Sequence, residues 1–470
     1  MPDRPNILFI LTDQQRFDWL EMNPEVPVRT PHLRTLATRG AWFKNAICPS
    51  PLCVPSRACL SSGNEYDRCD VRSNNTPYHH EQTPYQRRLR DEAGYHVMGC
   101  GKFHTGLNTT APGDLTWGLS GDKAKEQWGH NEALFNAGKN QSVLMMEKSG
   151  EPRDPYMTFL ATRGEAQTHI DDYAQRRGQP GREDIFLSTF PSKISDESYF
   201  DNWINTNALD LLDGAPTDKP WFLEVHFQNP HHPWDITEKM HQLYRDPDVQ
   251  FPHPEYADAN VTAETHQEVR RNYAAMLEHL DDCLRQMLAK LAQRGELDNT
   301  LIVFTSDHGE MLGDYGQWQK LSPLQASIGV PFIVAGPGVL QRAPNNAPIT
   351  TLDLHATFLD LAGVTPGDVD SQSMRPLLAG ETDHHREVVL SGLSAWRLAY
   401  DGRYKLIRGY DPAKRTGGHN WEPMAVDPEE ARQLQRDRPI YLYDTTNNEL
   451  DNLAQEHPEI VARLDAYLTE

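Results

Sequence analysis

Apolar residues in this chain fall into short, nearly unbroken runs, each closed by a polar or acidic group. NILFILT at 6 to 12 ends on Asp13, and LIVFTSDHGE at 301 to 310 runs into Asp307, His308 and Gly309. Runs without polar alternation read as strands buried on both faces, the habit of parallel sheets, and ligands of such sheets bind beyond the carboxyl ends of the strands. WFLEVHFQNPHHPW at 221 to 234 and GYHVMGCGKFH at 94 to 104 repeat the form. Four such ends are therefore expected on one edge of a single sheet.

Between these runs the period turns helical. Helices are predicted at 31 to 39, 83 to 92, 194 to 212 and 263 to 294; in the last, Met276, Leu280, Leu284, Met287, Leu288 and Leu291 make one packed stripe and Gly295 a stop. VPFIVAGPG at 330 to 338 adds a strand and turn, followed by a helix over TLDLHATFLDLAG at 351 to 363. Residues 120 to 190 carry no long periodicity and read as an insertion over the active face, where a substrate selector is expected. After a turn-rich stretch at 364 to 384, the runs WRLAYDG, YKLIRGY and IYLYDTTNNE and the final PEIVARLDAYLTE predict a small antiparallel sheet with a packed helix. The expected fold is α/β: a large mixed β-sheet flanked by helices, with a smaller C-terminal antiparallel sheet and helix, divided as residues 1–375 and 376–470.

Composition narrows the partners. The 470 residues are 38% hydrophobic and 24% charged, enough for a substantial core, and the net charge of -22 argues against nucleic acid. No apolar run reaches 18 residues, so no membrane span is expected. MPDRPNILFILTDQQ reaches Asp13 without a signal-cleavage pattern, and a cytoplasmic location is the expectation. The six cysteines, Cys48, Cys53, Cys59, Cys69, Cys100 and Cys283, are spaced neither as a disulfide framework nor as a metal ribbon.

Cys53 and Arg57 stand four apart in PLCVPSRACL. If this stretch opens a helix, both lie on one face at its amino end, where free N–H groups favour an anion and an arginine can grip sulfuryl or phosphoryl oxygens. A buried cysteine beside a surface arginine is the equal alternative on these residues alone.

CVPSR, followed by Cys59, Leu60, Ser62 and Gly63, resembles the signature of the type I, formylglycine-dependent sulfatases of the alkaline-phosphatase-like superfamily. GYHVMGCGKFH is similar to their second signature through Gly101, Lys102 and His104, with Val97 where a small hydroxyl residue is usual. NILFILTDQQR, PHHPW, DNTLIVFTSDHGEMLGDYG, VPFIVAGPG and YLYD extend the likeness over most of the chain, most weakly at 120 to 200.

The resemblance implies that Cys53 becomes Cα-formylglycine through a formylglycine-generating system. It implies a metal site of Asp13, Gln14, Asp307 and His308 for one divalent ion: Ca2+ first, with Mn2+, Mg2+ or Zn2+ as alternatives. Gln14 is the least secure ligand, with an outer hydrogen bond as its alternative. Catalytic roles pass to Cys53, Arg57, Lys102, His104, His231 and Lys320: His104 as base for cleaving the sulfated intermediate, His231 with Lys320 at the leaving oxygen, Lys102 on the diol and sulfate. Asp314 and Tyr315 read as a packed loop, and His79, His80 and His232 as structural. Trp117, Trp234 and Trp318 read equally as an aromatic wall or as packing.

The implied activity is hydrolysis of an aryl, alkyl or carbohydrate sulfate monoester. The alternatives are a phosphonate monoester or phosphodiester hydrolase with the same nucleophile, and a noncatalytic sulfate-ester binding protein. Oligomeric state is left open by these residues.

Overall fold

The computed structural model describes residues 4–104, 122–177, 185–412, 426–447 and 449–468. Its strands are β1 (Asn6–Asp13), β2 (Ala41–Trp42), β3 (Ala46–Ile47), β4 (His96–Lys102), β5 (Glu132–Asn136), β6 (Trp221–Pro230), β7 (Thr300–Ser306), β8 (Phe332–Ala335), β9 (Ile349–Thr350), β10 (Val389–Leu393), β11 (Trp396–Tyr400), β12 (Tyr404–Arg408) and β13 (Tyr441–Asp444). Seven form one sheet in the order β2-β8-β7-β1-β6-β4-β5. From β7 through β5 the neighbours are parallel, while β8 runs antiparallel to β7 and β2 to β8, so the sheet is mixed as expected.

The unbroken apolar runs have a direct cause. Along β1, Ile7, Phe9 and Leu11 pack into one core while Leu8 and Ile10 pack into the core on the other face, and β7 divides its residues the same way. Successive side chains of a strand point to opposite faces, so a sheet covered on both sides needs apolar residues at every position. The long helix Ala263–Gln293 covers one face, its start capped by the Thr262 hydroxyl and its end followed by Gly295 at φ 70°.

The insertion proves structured. It supplies β5 at the sheet edge and the helices Lys139–Ser149, Pro155–Thr162 and Ala166–Arg177. Their short lengths and mixed faces explain why no long period marks them in the sequence.

The second sheet, β10-β11-β12-β13, is antiparallel. Trp396, Leu398, Tyr400, Ile407 and Tyr443 pack into the main core, while Ala399, Leu406 and Leu442 meet Leu464 of the helix Pro458–Asp465. The small sheet is thus a filling between the body and the last helix. Among the described residues all six cysteines are free and buried, and no helix is long and apolar enough to cross a membrane.

One glycine sets how closely two strands approach beside the site. Gly101 in β4 has φ 107°, and a Cβ there would fall 2.0 Å from the His226 carbonyl oxygen of β6. Gly101→Ala is expected to cost on the order of 3 kcal/mol, a strained backbone plus a clash that only strand separation relieves. Denaturant titration checks it; an unchanged midpoint would show that β4 and β6 part freely at this point.

Candidate functional site

Parallel register assembles the centre of the site. Thr12 of β1 pairs with Ser306 of β7, so Asp13 and Asp307 leave the sheet side by side. Both carboxylates are buried, and with His308 and Cys53 they form a group whose ligand atoms all lie within 4.8 Å of one another. His308 is held by Nδ1, which sits 3.0 Å from the Gly309 carbonyl oxygen. A carbonyl only accepts, so Nδ1 carries the proton and Nε2 faces Asp13, Asp307 and the Cys53 sulfur, the last at 3.2 Å. Two carboxylates and a correctly tautomerised imidazole are a chemically fitting donor set for a divalent cation.

Gln14 stands directly beside that group. Its backbone lies in the left-handed region at φ 70°, its N–H donates to Asp307, and its side-chain oxygen accepts from Lys320 while its amide nitrogen donates to Glu310. The Gln14 side chain thus links Lys320 to Glu310.

Cys53 opens the helix Cys53–Ser62, every residue of which is buried. Arg57, one turn on, is 2% exposed and spends its donors inward. Nε bonds Asp307 at 2.9 Å, Nη2 reaches Asp13 at 3.3 Å, and Nη1 meets the Lys102 carbonyl and His226 Nδ1. Arg57 thus compensates the two carboxylates. The physical reason is proximity: two buried carboxylates capture the guanidinium before any anion in the cavity can.

The cations set the electrostatics. Burial alone raises the Asp13 carboxyl, but Lys102 and Arg57 outweigh it and hold Asp13 well below the usual carboxylate range. Burial and Asp13 push the Cys53 thiol up; Lys102, Lys320 and His308 overcome both and bring it well below its ordinary value. Position 53 is therefore a place where the protein field favours an anion. Burial holds His104 below the ordinary histidine value against a hydrogen bond from Cys53.

His231 has its Nδ1 2.6 Å from the His232 carbonyl oxygen, which makes Nδ1 the donor and leaves Nε2 to accept from Lys320 at 3.1 Å. Burial first, then His232, Lys320 and Lys102, push His231 well below its ordinary value, so it is a neutral imidazole beside an ammonium.

Cys53, Lys102, His104, His231 and Lys320 all line one cavity of about 280 Å³. Asn140, Gln141 and Gly138 of the insertion line it too, the placement expected of that segment. His232 lines it as well, against the structural role expected for it. Trp234 and Trp318 do not: Trp234 is buried with its indole on the Phe186 carbonyl, and Trp318 stacks on His266. Trp117 lies outside the described residues. Asp314 is paired with Arg16 and Arg270, and Tyr315 stacks on Tyr256 and bonds Glu255, a packed loop as expected.

Two buried acids escaped the sequence reading. Glu224 in β6 accepts from Tyr85 at 2.8 Å and from Gln86, and meets His130 at 2.6 Å; His226, two residues on, meets both Glu224 and Arg57. The signal was present, since WFLEVHF carries polar groups at 224 and 226 on one face of an otherwise apolar strand. Glu310 accepts from the backbone of Leu312 at 2.9 Å and Gln319 at 2.6 Å, closing the loop that delivers Lys320.

A family model described as Sulfatase matches residues 5–364. A choline-sulfatase of Rhizobium meliloti (strain 1021) is 30% identical over 486 aligned residues, covering 95% of this chain and 83% of its own. An arylsulfatase of Clostridium perfringens (strain 13 / Type A) is 26% identical, with 92% and 90% covered. The crystal structure of the phosphonate monoester hydrolase of Agrobacterium radiobacter shares the fold, with a TM-score of 0.74 at 21% identity over 99% of this chain and 94% of that one. Matched across most of its length, and with an acid pair and signature helix meeting at its strand ends, the chain belongs to the sulfatase family of sulfuric ester hydrolases.

Proposed function

We propose that the protein hydrolyses sulfate monoesters through a covalent sulfate on residue 53. The observation that carries this reading is the cavity in which position 53 faces Lys102, His104, His231 and Lys320 on one side and the Asp13–Asp307–His308 group on the other. Asp13, Asp307 and His308 are the residues that would hold one divalent cation, calcium by preference for its oxygen donors. When bound, the ion supplies charge that offsets both carboxylates and polarises sulfate oxygens.

Cys53, oxidised by the maturation system to Cα-formylglycine and hydrated, offers two hydroxyls. One, favoured as its oxyanion beside Lys102 and Lys320, forms a bond to sulfur while the bond from sulfur to the ester oxygen breaks. The leaving oxygen takes its proton from the Lys320–His231 pair. Because His231 is neutral there, with Nδ1–H on the His232 carbonyl and Nε2 accepting from Lys320, Lys320 is the donor and the imidazole orients it. His104 then removes the proton of the second hydroxyl, the carbonyl re-forms, and sulfate departs. Water restores the diol. Arg57 takes no part in these bonds and acts as a positioning residue for the carboxylates.

With matured protein, Cys53→Ala is expected to abolish sulfate release. His104→Ala should keep one stoichiometric burst of alcohol while steady turnover falls by about 100-fold or more, the usual worth of a general base. Quench-flow measurement on 4-nitrophenyl sulfate checks this, and equal loss of burst and turnover would remove His104 from intermediate cleavage. A larger kcat/KM for phenyl phosphonate esters than for sulfates would move the assignment to the phosphonate reading.

His104 must be neutral to act, and burial lowers its proton affinity. Cleavage of the sulfated intermediate should therefore hold through pH 6.5, the ordinary histidine value, and fall only at more acid pH. A pH profile of steady-state kcat that fails already at pH 7 would contradict this.

Chelation leaves two buried carboxylates compensated by Arg57 and Lys102 alone. EDTA is expected to lower the melting temperature and abolish turnover, with calcium restoring both. Arg57→Met should be destabilised by roughly 3–5 kcal/mol in EDTA and by clearly less with calcium present. Equal destabilisation in the two buffers would show that Arg57 does not share the carboxylate charge with an ion.

A further inference from the structure

His231 can orient Lys320 only while the turn that carries it keeps its place, and that turn is pinned on both limbs. On the approach, the Gln228 and Asn229 N–H groups donate to Asp201 at 2.8 and 2.9 Å, and the Asn229 side-chain oxygen accepts from the Tyr199 hydroxyl at 2.9 Å. On the departure, the Trp234 carbonyl accepts from Asn272 of the long helix at 2.7 Å, and the Asp235 carboxylate meets the Lys139 ammonium at 2.6 Å. His231 and His232 lie between these anchors and line the cavity.

The Lys139 ammonium reaches both limbs at once. Besides Asp235 it donates to the Tyr199 hydroxyl at 3.4 Å, and Tyr199 passes the contact on to Asn229. Both side chains of the ion pair are 1% exposed. Gly138, Asn140 and Gln141, the neighbours of Lys139 in the chain, line the cavity, but Lys139 itself points away from it into the protein. Its charge is therefore spent on the turn and not on the substrate. Desolvating two charges is expensive, and a well-packed apolar pair would serve stability as well; what an ion pair adds is a defined position.

Lys139 opens the helix Lys139–Ser149 of the insertion, and the same segment grips the turn a second time. The Phe186 ring meets His232 edge-on at 4.4 Å between centroids, and the Phe186 carbonyl accepts from the Trp234 indole. The insertion thus does two things: it contributes wall to the cavity, and from behind that wall it braces the histidine turn.

We propose that Lys139 and Asp235 are positioning residues for departure of the alcohol. Their ion pair fixes the His231 turn against the insertion, and His231 in turn holds the Lys320 ammonium toward the leaving oxygen. This rests on the sulfate-ester reading above.

The test uses matured full-length protein and two esters, 4-nitrophenyl sulfate and phenyl sulfate, compared by kcat/KM, which covers the steps through loss of the alcohol. Nitrophenolate leaves with little help from a proton, whereas the more basic phenolate needs one. A misplaced donor therefore changes the ratio of the two constants, while a smaller folded fraction lowers both alike. Asp235→Asn is expected to lower the phenyl sulfate value by at least about 10-fold, part of the worth of a general acid, and the 4-nitrophenyl sulfate value by about 3-fold or less. In a His231→Ala background the same substitution should leave the ratio unchanged to within about 2-fold, because the route through the histidine is already gone. Asp235→Asn strands the Lys139 ammonium; if that variant does not fold, Lys139→Met combined with Asp235→Leu strands no charge and carries the same expectation. An unchanged ratio, or a change of equal size without His231, would overturn the proposal. No turnover of either ester by the wild type, with formylglycine confirmed by peptide mass, would instead sink the sulfatase reading and this inference with it.

Discussion

Two carboxylates that should repel are forced together by strand register, and the rest of the site answers that fact. Asp13 and Asp307 follow paired residues of β1 and β7, so the backbone ladder fixes their approach. At the outer separation of 4.8 Å their repulsion is about 3–4 kcal/mol at an effective dielectric near 20, before any cost of burial. Arg57 bridges both, Lys102 takes Asp13, and His308 lies between them. Each compensating group is itself buried, so each depends on the acids as much as they depend on it. The group is held by mutual necessity, and the strand ends cannot shift independently.

The same arrangement reconciles an acidic protein with an anionic substrate. The net charge of -22 is a property of the whole chain, whereas the described cavity wall has no aspartate or glutamate and carries Lys102 and Lys320. Exposed charges are screened within about 8 Å at physiological salt, while charges in a buried cleft act on one another with little screening. A sulfate ester at the mouth therefore meets the two lysines before it meets the average.

How much of this was legible follows from where each group's information lies. Asp13, Asp307, His308, Lys102 and His104 close apolar runs, so strand periodicity alone aims them at one edge. Cys53 and Arg57 sit in one short helical turn, and their spacing places them together. The direction of the Arg57 guanidinium was not readable, because it depends on carboxylates 44 and 250 positions away. The hydrogen bonds of Gln14 were hidden for a similar reason: its oxygen accepts from Lys320, 306 positions along the chain. The insertion hid its helices because their faces are mixed, and with them Gly138, which packs closely on Gln228 and Lys102 from distant parts of the chain.

A division of labour emerges from which groups ride on strands and which on loops. Asp13 and Lys102 terminate central strands and Asp307 directly follows one, so the capture geometry is as rigid as the sheet. Lys320 rides on a loop that has left-handed backbone at Leu312, Tyr315, Gln319 and Leu321. Such conformations cost roughly 1–3 kcal/mol each unless held. Glu310 holds them, fastening Leu312 and Gln319 by their N–H groups and Gln14 by its amide. Burial raises the proton affinity of Glu310, the Leu312 and Gln319 N–H groups, Lys320 and the Gln14 amide work against it, and the acid in turn ties the loop together. Lys320 thus sits on a segment held by contacts other than those of the insertion that lines part of the same cavity. Changes in the insertion can therefore reshape that part of the wall while the Glu310 contacts still fix the loop that carries Lys320.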